Sequence, residues 1–136
     1  MLGTLIDAVD ELCDTDVASL SDDELHRAVV EMHTIRTARL VAVQSRLLAE
    51  WDARRTWADD GSRSAGARLA RETGSNPKAC NFDVGRARSL RTMPHTMAAL
   101  STGAISGDKA GATEVVRVRV SARRSRKPGL GTGPMW

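Results

Sequence analysis

The stretch that decides the fold runs from Ser21 to Trp57 and reads SDDELHRAVVEMHTIRTARLVAVQSRLLAEWDARRTW. Leu25, Val29, Met32, Ile35, Leu40, Val43, Leu47 and Trp51 recur along it at steps of mostly three or four, the spacing of one helix face. It holds neither Gly nor Pro, so no residue breaks a helix from within. Ser21 is a suitable N-cap, and Glu24 three residues on can close a capping box. Asp22, Asp23 and Glu24 also place negative charge at the positive end of the helix dipole. Nearly the whole stretch is therefore expected to form one long amphipathic helix. Over roughly 32 residues at ~1.5 Å each it would extend about 48 Å, longer than a small domain is wide. Such a helix is either a spine on which other helices pack or half of an intermolecular coil.

Working outward, the composition fits that spine. With one Phe, no Tyr and three Trp in 136 residues, the core has to be aliphatic and alanine-based, which suits packed helices. Charge is unevenly spread. Residues 1–60 hold 13 acidic and 6 basic side chains, net −7, whereas residues 61–136 hold 4 acidic and 14 basic, net +10. A basic half of this kind is the footprint of a nucleic-acid or acidic-partner surface, unless it pairs with the acidic half of the same molecule. Cys13 and Cys80 lack any CxxC spacing, so both are expected as small buried hydrophobes in a reduced, cytoplasmic setting. The N-terminus has no basic region before its apolar residues, and no apolar run approaches the ~18 residues of a membrane span.

Ahead of the spine, Leu2, Leu5, Ile6, Val9 and Leu12 lie at helical spacing, with Asp7, Asp10 and Glu11 opposite. His26 and His33 share a face without a third ligand, a poor basis for a metal site. Beyond the spine, Asp60-Gly61 signals a reversal. Glu50 and Asp52 are two residues apart and diverge on a helix, so they are expected to pair with Arg54 and Arg55 and not to share a substrate atom. Trp51 and Trp57 are expected to clamp the following helices. Ser64 can cap a helix that closes at Gly74, and Asn76-Pro77 can open the next, with Cys80, Val84, Ala87 and Leu90 inward. Gly85 in the middle of that helix costs ~1 kcal/mol relative to Ala unless a neighbour needs close approach. Helix, Gly-containing turn, helix is the outline both of a plain hairpin and of a DNA-binding helix-turn-helix. Asp83 falls where the latter buries an aliphatic residue. A further helix spans about Pro94 to Gly103, and a last one is expected from about Gly107 to Val116.

Trp51-Asp52, Trp57, Gly61, Ser64, Leu69-Ala70, Gly74, Ala87-Arg88, Leu90, Pro94, Ala99-Leu100 and Gly103-Ala-Ile105-Ser106 follow one another in the pattern of an actinobacterial family. The chain resembles the domain of unknown function 222, also called the 13E12 repeat family, from about Leu25 to Ser106. The resemblance implies a helical region of the kind found N-terminal to HNH endonuclease domains. It departs from the pattern at Arg68, Asp83 and Gly85. An HNH centre needs a metal-binding His, a general-base His and an orienting Asn, yet no His or Asn follows residue 95. The expectation is thus a chain truncated before the nuclease, with no catalytic residues, no metal and no cofactor.

From Val116 to Val120 the sequence alternates Val and Arg, and from Ser121 it is basic and rich in Gly, Ser and Pro. A disordered basic tail over 117–136 is expected. Taken together, the expectation is an all-α domain over 1–116: a long central helix, about four shorter helices packed along it, and that tail. Its expected role is a non-catalytic module with nucleic-acid affinity carried by Arg86, Arg88, Arg91, Arg117, Arg119, Arg123, Arg124, Arg126 and Lys127. The alternatives are a helical protein–protein module that self-associates through the long helix, or a truncated remnant without a role of its own.

Overall fold

In the computed structural model, residues 1–110 are described. All regular elements among them are helical. In chain order they are α1 (Gly3–Cys13), a 3₁₀ turn (Val17–Ser19), α2 (Asp22–Thr34), a π segment (Ile35–Arg39) and α3 (Leu40–Ala53). After a second 3₁₀ turn (Thr56–Ala58) come α4 (Ala65–Thr73), α5 (Pro77–Leu90) and α6 (Pro94–Thr102). Residues 107–110 are again helical. The basic tail expected over 117–136 lies outside the described residues.

The long helix starts as its sequence dictates. The Ser21 amide and hydroxyl both donate to Glu24 Oε2, at 2.9 and 2.8 Å, and the Glu24 amide donates back to Ser21 Oγ at 3.3 Å. The expectation of uninterrupted α-helix needs one correction: the Leu40 amide donates to the Ile35 carbonyl, five residues back, so one π turn lies inside the stretch. The helix ends at Ala53, about the length expected, and Arg55 beyond it takes a left-handed backbone conformation (φ 54°). Helical backbone nevertheless persists without a turn through Thr34, Arg39 and Leu40.

The chain forms two compact units, Met1–His33 and Thr34 onward. In the first, α1 and the residues of α2 bury no side chain. Cys13 is accordingly exposed, contrary to expectation, because α1 offers its apolar side to no buried core. Cys80 in the second unit is buried as expected.

The second unit holds the core. In it α4 packs on α5, α5 on α3, and α6 on the π segment and α3. One cluster joins Ala38, Ala42, Leu90, Leu100 and Ala110, with Met97 and Ile105 against it. The other joins Leu48, Ala65, Val84 and Ala87, with Trp51, Trp57 and Leu69 around it, so both tryptophans do clamp the shorter helices to α3. The face of α3 that turns inward is therefore Ala42, Ser45 and Leu48, and not the row of large side chains that draws the eye in the sequence. Leu40, Val43 and Leu47 are exposed.

The hairpin of α4 and α5 is capped as read. Ser64 Oγ accepts from the Ala67 amide at 3.1 Å, and Asn76 Oδ1 accepts from Lys78 at 2.8 Å. Gly103 closes α6 at φ 79°, and a Cβ there would stand 2.8 Å from the Thr34 methyl. Gly85, by contrast, has open space around its missing Cβ, so no neighbour within the described residues requires a glycine there.

These two glycines predict opposite outcomes in thermal or denaturant unfolding. Gly85→Ala should stabilise by about 0.5–1 kcal/mol, the usual gain of Ala over Gly inside a helix. Gly103→Ala should destabilise by about 1–2 kcal/mol, since it forces a left-handed alanine and displaces Thr34.

Candidate interaction surfaces

Arginine side chains dominate the second unit, and most of the acids there are spent on them. Arg88 on α5 forms a two-pronged bond to Asp52 on α3, Nε to Oδ2 at 2.7 Å and Nη2 to Oδ1 at 2.8 Å. This is not the local pairing expected for Asp52: Glu50 does bond Arg54 at 2.6 Å, but Asp52 reaches a partner on another helix. Arg55 lies over the Trp57 ring, 5.5 Å from its centroid. Arg68 Nη1 is 2.8 Å from both Asp59 and Asp60 and its Nε is 2.8 Å from Glu72; Arg71 also pairs with Asp60. That network ties the turn after the second 3₁₀ segment to α4 and gives Arg68, one of the departures from the resembled pattern, three carboxylate partners.

Of the expected nucleic-acid contacts, Arg86, Arg88 and Arg91 fall in the described residues. They are not brought together. Arg86 is largely buried, donates to Asp83 at 2.7 Å and stacks over Phe82, 5.4 Å from the ring centroid. Its bond also satisfies Asp83, the residue that counted against a helix-turn-helix. Arg88 is held by Asp52, and Arg91 is exposed just beyond the end of α5. Arg117, Arg119, Arg123, Arg124, Arg126 and Lys127 lie outside the described residues. Cations without an ion pair among the described residues of this unit include Arg36, Arg39 and Arg46, which the sequence reading did not select. Their spacing along the long helix was the available signal.

Electrostatics at Asp52 are simple to trace. The hydrogen bonds from Arg88 hold its carboxyl below the usual carboxylate range, against the opposing effect of partial burial. The Trp57 indole N–H lowers it further without reaching good hydrogen-bond geometry. Among the described residues, no group of three or more His, Cys, Asp or Glu side chains could hold a metal ion. No described helix is long and apolar enough to cross a membrane.

The largest feature left is apolar. In the first unit, Leu2, Leu5, Ile6, Val9 and Leu12 of α1, and Leu25, Val29, Val30 and Met32 of α2, are exposed. In the second unit, Ile35, Leu40, Val43 and Leu47 are exposed, with Arg36, Arg39 and Arg46 interspersed. Exposed large aliphatics thus recur at helical spacing in each of the two units.

Among known protein families, the model of the domain of unknown function 222 matches residues 26–126. The chain belongs to this family. The match takes in α2 from its second turn through α6, including the Asp52–Arg88 pair, and extends past the Ser106 limit of the resemblance read from sequence. No curated protein and no solved structure matches the chain.

The Asp52–Arg88 pair predicts a pH signature. A carboxyl whose folded pKa is depressed stabilises the fold above its ordinary value of 3.8, and that contribution is lost as pH falls through the folded value. Arg88→Met should cost about 1–2 kcal/mol near neutrality, by leaving a half-buried carboxylate without its partner. The gap between variant and parent should narrow as the pH is lowered through ~4 and below. Melting curves of both proteins across that range check the sign.

Proposed function

We propose that this family member is a non-catalytic helical interaction module, whose outward apolar helix faces bind protein. The observation that carries this reading is the inside-out placement on α3: Ala42 and Ser45 are buried while Leu40, Val43 and Leu47 face outward. Burying a large aliphatic side chain contributes about 1.5–3 kcal/mol, so leaving a row of them in water is costly unless a partner covers them. The resemblance to the helical region that precedes HNH nuclease domains supports a supporting role beside such chemistry. The absence of His and Asn after residue 95 supports leaving the chemistry itself to other sequence.

Nucleic-acid binding is the second reading, supported by the net +10 of residues 61–136 and by exposed Lys78, Asn81 and Phe82 on α5. It is weakened by the capture of Arg86 and Arg88 in internal ion pairs.

A photo-crosslinking residue at Val43 separates the two. It should yield protein adducts in the cells that produce the chain, whereas the same residue at Thr102, exposed on α6, should not. If Val43 gives no adduct, and the purified chain binds duplex DNA with an affinity that falls steeply with salt, the function belongs to nucleic acid.

A further inference from the structure

We infer that the outer side of α3 receives one acidic amphipathic helix of another protein, with its apolar side on Leu40, Val43 and Leu47 and its carboxylates beside Arg39 and Arg46. This rests on the reading of the chain as a protein-binding module and names the chemistry of its partner. The surface lies wholly within the second unit. Leu40, Val43 and Leu47 are 39%, 48% and 44% exposed. At about 100° per residue the three fall within a sector of about 60°. Their steps of three and four residues are the anchor spacing by which one helix receives another. A π turn separates Ile35 and Arg36 from this register, and neither belongs to the surface.

Charge selects the partner. Arg39 directly precedes α3 and its backbone is helical (φ −66°, ψ −45°). The same winding therefore sets it with Arg46, seven residues on, along one edge of the aliphatic row. Both arginines are exposed, and neither meets a carboxylate among the described residues. No acidic residue occurs from Ile35 to Ala49. Glu50, one turn beyond Arg46, is held by Arg54 at 2.6 Å. Arg68, Arg71, Arg86 and Arg88 of the same unit each have a carboxylate of their own, so this edge stands out as one whose charge is left uncompensated.

A partner that covers this surface has to bring hydrocarbon and carboxylate together. A phosphate backbone would meet the two arginines but set charged oxygens against Leu40, Val43 and Leu47. A second copy paired antiparallel about Val43 would place Arg39 of each beside Arg46 of the other, like against like. An acidic amphipathic helix satisfies both demands, with aliphatics at matching steps against the row and Asp or Glu one step to the side. Each guanidinium can then take a carboxylate through two parallel bonds. Leu40 to Leu47 spans about 10.5 Å along the axis, so two turns of the partner cover it. Exposed ion pairs add little affinity apiece; the aliphatic row anchors the partner and the arginines discriminate among candidates.

Fluorescence anisotropy with the full chain tests this. The probe is a labelled peptide of three heptads, with leucine at both core positions, glutamate at the flanking positions and alanine elsewhere. It should bind, and a twin with lysine for every glutamate should bind at least about tenfold more weakly. A second twin with serine for every leucine should not bind. The double variant Arg39→Glu, Arg46→Glu should reverse the preference between the glutamate and lysine peptides. Val43→Glu should weaken the glutamate peptide by at least about tenfold. Arg91→Glu, at an exposed arginine just beyond α5, should leave its affinity unchanged. The substituted side chains are exposed, so circular dichroism should show every variant as helical as the parent.

Equal binding of the glutamate and lysine peptides, or binding of neither, overturns the acidic partner. Duplex DNA bound in place of the peptide, and lost in the Arg39→Glu, Arg46→Glu variant, overturns it in favour of nucleic acid. A dimer seen by light scattering and abolished by Val43→Glu, with no peptide bound, overturns it in favour of a second copy. In the case where neither peptide binds, the crosslinker at Val43 decides how far the failure reaches. A protein adduct in cells leaves the module reading standing with a partner of other chemistry; no adduct at all removes both.

Discussion

Everything in the second unit depends on how closely α5 and α6 can approach α3 and the π segment. That approach is set by Ala38, Ala42 and Ser45, which are almost wholly buried. Small side chains there bring Leu90, Leu100, Val84 and Ala87 of the opposing helices into van der Waals reach, and the two buried clusters follow. Interiors are packed as densely as organic crystals, so a larger side chain at Ala38 or Ala42 would have to displace a neighbour. Ser45 meets this constraint through size alone: its hydroxyl has no hydrogen-bond partner among the described residues. A helix that gives its small residues to its own core is left with its large ones outside.

The second constraint is the fate of charge. Glu50, Asp52, Asp59, Asp60, Glu72 and Asp83 each meet an arginine. Some of these pairs are surface contacts worth little individually. The Asp52–Arg88 pair differs, since it joins two helices through a bidentate geometry at a half-buried carboxylate. An excess of arginine in composition thus overstates the cationic surface. The arginines that remain uncommitted on the π segment and α3, Arg36, Arg39 and Arg46, lie between exposed aliphatics, so charge and apolar surface alternate there.

Much of the architecture was legible because it is local. The Ser21–Glu24 capping box, the Ser64 and Asn76 caps and the glycine stops at Gly74 and Gly103 are each decided by a few neighbouring residues, and each is found where the sequence places it. The clamping by Trp51 and Trp57 was legible for another reason, since large aromatics beside a turn have few other places to go. Which face of the long helix is buried was not legible. Periodicity marks the row of large residues as readily as the alanine row beside it, and burial follows closeness of approach, not hydrophobicity alone. The π turn and the Asp52–Arg88 pair were hidden too: the first arises from backbone fitting, the second joins residues 36 positions apart. Of the candidate site, Arg86 and Arg88 were found by counting charge, which is blind to whether an acid already holds them.

The inner and outer rows of α3 constrain each other. At about 100° per residue, Ala42, Ser45 and Leu48 fall on one side of the helix and Leu40, Val43 and Leu47 on the other. Turning the outer row inward would set larger side chains where Ala42 and Ser45 now let α5 and α6 approach. The inner row is selected by the closeness it permits, so the exposure of Leu40, Val43 and Leu47 follows from the packing of the second unit itself.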